Sequence, residues 1–125
     1  MADEYILKHL QDVLDAINEL ESFFVDYPKR FDVFEKDRLR ICAVERKTEI
    51  MGEAINRIRK QDPTFGIPNA REIISTRNRI IHGYDSVETE FLWGLVVRHI
   101  PLLKRILSAS SMKSLQTVLT SKTYL

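Results

Sequence analysis

Apolar residues recur along the chain at spacings of three and four, the period expected of helices that bury one face. The first amphipathic segment extends from Asp3 to Tyr27, and Pro28 is expected to end it. Its apolar stripe comprises Ile6, Leu10, Val13, Leu14, Ile17, Leu20 and Phe24. No segment alternates regularly between apolar and polar residues, as a half-buried strand would, and no internal repeat is present. The pattern therefore predicts an all-α fold.

A second helix follows a short connection at residues 29–32 and is expected to end near Lys60. Its inward stripe comprises Ile41, Val44, Thr48, Met51, Ile55 and Ile58. Gly52 lies within this helix, where glycine costs about 1 kcal/mol relative to alanine. We therefore expect another backbone to pack closely against Gly52.

The segment 62–68, with the sequence Asp-Pro-Thr-Phe-Gly-Ile-Pro, is the clearest break in the chain. Pro68 or Asn69 then begins a third helix, for which Gly83 is the expected C-terminal cap. The predicted buried side of this helix comprises Ile73, Ile74, Ile80 and Ile81.

A fourth helix is predicted after residue 84, with apolar positions at Val87, Phe91, Leu95, Ile100, Leu103 and Leu107. Pro101 has no backbone N–H to donate, so this helix must kink or split at His99-Ile100. Four helices with short connections predict an up-and-down antiparallel four-helix bundle whose core covers about residues 3–107. Residues 108–125 are expected to add a short terminal helix and a tail, so that residues 1–125 form one domain.

The composition, with 44% hydrophobic and 30% charged residues in a chain of 125, is that of one soluble globular domain. Asp3 and Glu4 stand where a secretory signal would need basic residues, and no apolar run is long enough to span a bilayer. Cys42 is the only cysteine, which excludes an internal disulfide and a cysteine-based zinc site. We therefore expect a cytoplasmic protein without membrane contact.

The net charge of +1 conceals an uneven distribution. Residues 1–35 contain nine acidic and three basic residues, a net charge of −6. Residues 71–125 contain four acidic and eight basic residues, a net charge of +4. This asymmetry fits attraction within the bundle or across a dimer at least as well as it fits steering of a nucleic acid.

The residues whose side chains are best suited to catalysis or ligand binding lie at the end of the third helix, in the sequence Arg77-Asn78-Arg79-Ile80-Ile81-His82-Gly83-Tyr84. Asn78 and His82 are four residues apart and share one helix face, and the long side chain of Arg77 reaches the same region. A guanidinium, an amide and an imidazole gathered in one place suit a phosphodiester. For the bare pattern Arg-x4-His, cations that only complement the helix dipole are the commoner explanation.

The whole string Arg77-Asn78-x3-His82-x-Tyr84 resembles the signature of the HEPN superfamily and, within it, of the HepT toxins of HepT/MntA toxin–antitoxin systems. The segment Met51-Gly52-Glu53-Ala54 and the order of the helices are also similar to that family. The resemblance implies a HEPN-like bundle and a dimeric, metal-independent ribonuclease that needs no cofactor. It also implies a type VII-like system, in which an MntA-like nucleotidyltransferase antitoxin AMPylates Tyr84. By position alone, Tyr84 could instead pack on Gly83 or begin the fourth helix.

The motif residues suggest RNA cleavage by the RNA's own 2′-hydroxyl group. His82 would move a proton, Arg77 would hold the scissile phosphate, and Asn78 would orient either group by hydrogen bonding. Because one histidine cannot conveniently be both base and acid, two copies in a homodimer are expected to form one composite cleft. Arg79 could contact flanking phosphates or could be a solvated surface residue.

No metal-ligand motif, phosphate-binding glycine loop or nucleophile elbow is visible in the sequence. His9 and His99 are expected to be packed or surface residues rather than metal ligands. Two other functions stay open: a catalytically silent HEPN-type module that binds RNA or a nucleotide, and a helical dimerisation adaptor.

Overall fold

The computed structural model of the protein describes residues 2–67, 69–82 and 89–108, which form helices joined by short turns. The helices are α1 (Ala2–Ser22), α2 (Phe31–Phe34), α3 (Arg38–Gln61), α4 (Ala70–Ile81) and α5 (Thr89–Gly94). A π-helical segment, Leu95–His99, and helical residues 100–108 follow α5 without a break, and we call this stretch the 89–108 helix. These three described ranges contain no strand, so the all-α prediction is confirmed. Their helices include none that could cross a bilayer.

The central element is α3, which packs against both α1 and α4. Every residue of its predicted inward stripe is buried, and the α1 stripe is buried from Ile6 to Leu20. The 89–108 helix completes the core with Leu92, Leu95, Ile100, Leu103 and Leu107. Each fully buried aliphatic side chain of this kind contributes about 1.5–3 kcal/mol relative to its exposure to water. The bundle is therefore held mainly by the apolar stripes of α1, α3 and the 89–108 helix, which form one core around α3.

The first helix ends at Ser22 rather than at Tyr27, so the predicted end of this helix was wrong. The amides of Phe23 and Phe24 donate to carbonyl oxygens three residues earlier, at 3.1 and 3.0 Å. Asp26 then takes a positive φ of 58°. The turn brings the ring of Phe24 to 6.3 Å from that of Trp93, which itself stacks 4.9 Å from Phe34.

The second predicted helix is also interrupted, because α3 begins only at Arg38, after the separate short helix α2. Asp37 is the N-cap, and its Oδ1 accepts a hydrogen bond of 3.1 Å from the backbone N–H of Arg40. The Arg40 Nη1 and the Tyr27 hydroxyl donate to Asp37 Oδ2 at 2.8 and 3.0 Å. These hydrogen bonds, that of the Arg40 side chain first, hold the pKa of Asp37 below its usual value.

Pro101 does not split the 89–108 helix at His99-Ile100, as the sequence had allowed. The turn before it widens into the π-helical segment, in which the Ile100 N–H donates to the Leu95 carbonyl oxygen. A π-helical turn pairs residues five apart and adds one residue to the helix, next to the position where proline removes a donor. The helix therefore continues to residue 108.

The inward face of α4 differs from the prediction. Its buried residues are Ala70, Ile73 and Thr76. Ile81, which the sequence pattern placed in the core, is 51% exposed. Consecutive isoleucines cannot both face α3, because neighbouring residues on a helix point about 100° apart. The predicted N-terminus of the fourth helix and the predicted terminal helix lie outside the described residues.

Gly52 lies where α3 approaches α4, in accordance with the expectation of a close contact. A Cβ atom built on Gly52 would be 2.6 Å from Arg77 Cβ and 2.9 Å from Arg77 Cγ, closer than such atoms approach in proteins. The contacting group is thus the side-chain stem of Arg77 rather than a backbone. Glycine at position 52 lowers the helix propensity of α3, but it allows α4 to lie close to α3.

Alanine substitutions at two glycines should have opposite effects on stability. Gly52→Ala should lower the free energy of unfolding by about 1–3 kcal/mol, because the new methyl group must displace the Arg77 stem. Gly94→Ala meets no atom within 4 Å at a helical φ of −58°, so it should raise stability by about 0.5–1 kcal/mol. Urea denaturation of both variants and the wild type measures the difference. Equal effects of the two substitutions would contradict the close contact.

The side chain of His9 is buried on α1, with only 3% of the residue exposed. The ring of Tyr5 meets it edge-on at 4.5 Å, and Asp12 Oδ2 lies 3.6 Å from its Nδ1. Burial, followed by the charge of Lys8, lowers the pKa of His9 despite the opposing effect of Asp12. The histidine is thus a packed residue, as expected.

Stability should fall as the pH drops below the usual histidine pKa of about 6.5. The pKa of His9 is lower in the folded protein, so the unfolded chain takes up the proton first and gains stability relative to the native state. Replacement by a neutral side chain, His9→Gln, should flatten the dependence of unfolding free energy on pH between about 7 and 5. Urea denaturation across this range checks the slope, and an unchanged slope would contradict the assignment.

Candidate functional site

One face of α4 carries a row of polar side chains. Arg71, Ser75 and Asn78 of α4 and His82, its C-cap, are spaced by four, three and four residues, so they lie along one stripe. All of them line an open groove of about 480 Å³. The rest of the lining comprises Ile74 and Arg79 of α4 and Arg59 in the last turn of α3. The groove therefore lies between the end of α3 and the outer face of α4.

The groove is positively charged. Its described lining includes three arginines and one histidine and no carboxylate. Within the described part of the chain, Arg59, Arg71 and Arg79 form no ion pair. Because no acid among the described residues pairs with them, these guanidinium groups are available to a polyanion.

Arg77 lies behind the groove rather than in its lining. Its stem packs on Gly52, and its Nη1 donates a hydrogen bond of 3.0 Å to Asn78 Oδ1. Its Nε is buried and has no hydrogen-bond partner in the described structure. Of the three predicted catalytic side chains, Asn78 and His82 thus share the groove, and Arg77 reaches it through Asn78. The hydrogen bond leaves the amide N–H groups of Asn78 as donors.

His82 stands at the carboxyl end of α4, where its backbone N–H donates to the Asn78 carbonyl oxygen at 3.0 Å. Its side chain is exposed and lines the groove. The backbone carbonyls of the last helical turn give this end a partial negative charge, which favours nearby cations. Tyr84, predicted as the modified residue, and Gly83, predicted as the cap, lie outside the described residues.

The other end of α4 is tied to the 89–108 helix. Asn69 takes a positive φ of 60° and does not cap α4 with its side chain. Its Oδ1 lies 2.9 Å from His99 Nδ1, and its Nδ2 donates to the His99 carbonyl oxygen at 3.4 Å. This pair fixes the start of the helix that carries Arg71, and it gives His99 a structural role.

Of the residues that line the groove, the sequence pattern singled out Asn78, Arg79 and His82 but not Arg59 and Arg71. The spacing from Arg71 to His82 was a visible signal, because residues four, seven and eleven apart share a helix face. Arg59 carried no such signal, since only the packing of α3 on α4 brings it to the groove.

The groove combines groups that bind phosphates with a group that can transfer protons. Guanidinium groups pair with phosphate oxygens through two parallel hydrogen bonds, and an imidazole can donate or accept a proton near neutral pH. Among the described residues, no cluster of three His, Cys, Asp or Glu side chains could hold a metal ion.

Comparison with known proteins agrees with this chemistry. A family model described as ribonuclease HepT-like matches residues 13–110. A Thermococcus cleftensis protein named "Probable ribonuclease HepT" is 35% identical over 100 residues, which cover 77% of this chain and 86% of that protein. A Methanocaldococcus jannaschii protein with a provisional RNase name is 29% identical over 107 residues, or 84% of this chain and 95% of that protein. No solved structure matches the chain. The chain therefore belongs to the HepT-like ribonuclease family.

Proposed function

We propose that the protein is a metal-independent endoribonuclease toxin that cleaves RNA in the groove between α3 and α4. The observation that carries this proposal is the convergence of His82, Asn78 and Arg79 on one open groove, whose described lining holds no carboxylate, in a chain of a ribonuclease family. A cationic groove suits a polyanion, and an exposed imidazole within it supplies the proton transfer that phosphodiester cleavage needs.

The reaction uses the 2′-hydroxyl of the RNA as its nucleophile. This oxygen attacks the adjacent phosphorus, the bond to the 5′-oxygen of the next nucleotide breaks, and a 2′,3′-cyclic phosphate and a 5′-hydroxyl form. His82 either takes the proton from the attacking hydroxyl or delivers one to the leaving oxygen. The groove thus needs to supply only proton transfer and charge stabilisation.

Asn78 and Arg77 act together on the scissile phosphate in this proposal. The hydrogen bond from Arg77 Nη1 to Asn78 Oδ1 orients the amide so that its N–H groups can donate to a phosphate oxygen. The guanidinium of Arg77 adds positive charge next to the pentacoordinate transition state. Arg79 lines the groove and binds a phosphate beside the scissile one.

A homodimer completes the site. Two symmetric copies supply one histidine as base and one as acid, which a single groove cannot do conveniently. Two exposed apolar side chains support the pairing: Ile81, the last residue of α4, is 51% exposed, and Phe91 of α5 is 43% exposed. Their burial against a second copy would bring the two His82 residues towards one cleft.

His82→Ala and Arg77→Met should each lower RNA cleavage at least about 100-fold, because proton transfer and charge stabilisation are each worth about that much. Methionine keeps the apolar stem that packs on Gly52, so the fold is retained. Total cellular RNA is incubated with wild type and variants in a chelator, with gel analysis of the products. Arg98→Met, which removes an exposed arginine of the 89–108 helix, is the matched control and should cleave normally.

Each other result identifies a different function. A wild type that binds RNA but does not cleave it would be a silent binding module. A wild type that does neither, yet forms dimers, and in which His82→Ala and Arg77→Ala change only partner binding, would be a dimerisation adaptor. Both results would refute the endoribonuclease proposal.

We further propose that an MntA-like nucleotidyltransferase antitoxin neutralises the toxin by AMPylation of Tyr84. An adenylate two residues from His82 would occupy the groove and add negative charge where RNA must bind.

Incubation with such an enzyme, ATP and Mg²⁺ should add adenylate to wild type and abolish cleavage, whereas Tyr84→Phe should stay unmodified and active. Mass spectrometry of the intact protein and its peptides identifies the modified residue. Tyr27, whose hydroxyl donates to Asp37, provides the comparison: an adduct on Tyr27, or full modification of Tyr84→Phe, would contradict the assignment.

A further inference from the structure

We infer that Arg59 and Arg71 form a second phosphate subsite, so that the groove follows the RNA backbone through several nucleotides and does not select bases. This inference rests on the proposed function, because it assigns the scissile phosphate to the His82 end of the groove. The two arginines are the charged residues of the described lining that the reaction itself does not use.

The length of the groove exceeds one nucleotide. Arg71 and His82 are eleven residues apart along α4, a rise of about 16 Å at 1.5 Å per residue. Successive phosphates of a stacked strand advance about 3.4 Å along its axis. A strand with one phosphate at His82 therefore places others beside Arg71.

Arg59 supplies the opposite wall at this end. It lies in the last turn of α3, and the groove contains both its side chain and that of Arg71. The Gly52–Arg77 contact fixes the distance between α3 and α4, and the Asn69–His99 pair fixes the start of α4. The two arginines are thus held on different helices around one space, which is the arrangement that clamps a phosphate.

Three other basic residues of α3 are neutralised, in contrast to Arg59. Arg46 pairs with Glu49 at 3.0 Å, Lys47 with Glu19 at 2.9 Å, and Arg57 with Glu53 at 2.8 Å. These pairs lie on the side of α3 that faces α1, where a second groove has a mixed lining of acids and bases. The arginines that line the groove between α3 and α4 thus have no described ion-pair partner, unlike these three basic residues of the α1-side groove.

The lining also explains why bases should not be selected. Apart from His82, the described lining contains no aromatic side chain on which a base could stack. Arginine side chains carry no hydrogen-bond acceptor and bind phosphates readily. The chemistry of this end of the groove thus fits a phosphodiester chain of any sequence.

Salt dependence of RNA binding tests the subsite directly. The proteins carry His82→Ala to prevent cleavage, and a fluorescent single-stranded RNA of about ten nucleotides is titrated at several salt concentrations. Arg59→Gln and Arg71→Gln should each weaken binding roughly tenfold at low salt. Each should also reduce the slope of log K against log salt by about 0.7. Arg57→Gln removes the same charge two residues away and should leave the slope unchanged.

Base tolerance has its own readout in the same assay. A scrambled RNA and a single-stranded DNA of equal length should compete with the labelled strand within a few-fold, because all three carry the same phosphates. A strong preference for one sequence would overturn the absence of base selection. Equal slopes for Arg59→Gln and Arg57→Gln would overturn the subsite itself.

Cleavage kinetics separate this inference from the proposed reaction. A dinucleoside monophosphate has only the scissile phosphate, so Arg59→Gln should lower kcat/KM for a ten-nucleotide RNA roughly tenfold more than for the dinucleoside monophosphate. An equal loss on both substrates would place Arg59 at the scissile phosphate and refute the second subsite. If wild type cleaves neither substrate but the binding slopes behave as expected, the proposed reaction fails and the phosphate track stands.

Discussion

The contact between Gly52 and the stem of Arg77 is the constraint on which the groove depends. With any larger residue at position 52, α4 could not lie this close to α3, because the nearest Arg77 carbon would be 2.6 Å from the new atom. The same contact holds the Arg77 backbone in place, so its guanidinium emerges beside Asn78. A packing requirement in the interior therefore determines the position of polar groups on the surface. A glycine that looks unfavourable within a helix is explained by the site it allows.

The division of charge across α3 follows from the same arrangement. On the side of α1, acids of the first helix and of α3 itself pair with Arg46, Lys47 and Arg57. On the side of α4, described carboxylates do not reach the groove. The net charge of +1 averages over these two surfaces and says little about either. A polyanion responds instead to the local electrostatic field of the arginines on the α4 side, which acts over about a Debye length of 10 Å or less in salt.

The sequence predicted the helical class and the buried stripes of α1 and α3, because both follow from local periodicity. It did not predict the end of α1 or the break before α3, which depend on the Arg40–Asp37–Tyr27 hydrogen bonds between distant turns. The sequence pattern also singled out Asn78, Arg79 and His82, which line the groove, but not Arg59, since its position is a consequence of helix packing. Periodicity thus reveals single helices, and groups supplied by two helices require the tertiary structure.

Two parts of the Arg77 side chain lie in different surroundings, which the sequence motif alone does not distinguish. Its Cβ and Cγ atoms belong to the α3–α4 interface, and its Nη1 belongs to the polar row that ends at His82. Its buried Nε has no hydrogen-bond partner in the described structure, and the desolvation of this group costs about 1–3 kcal/mol. Packing alone would not require this cost, because an apolar side chain could fill the same space. A charge kept at such a cost, next to an amide at the edge of a cationic groove, fits the role we propose for Arg77 at the scissile phosphate.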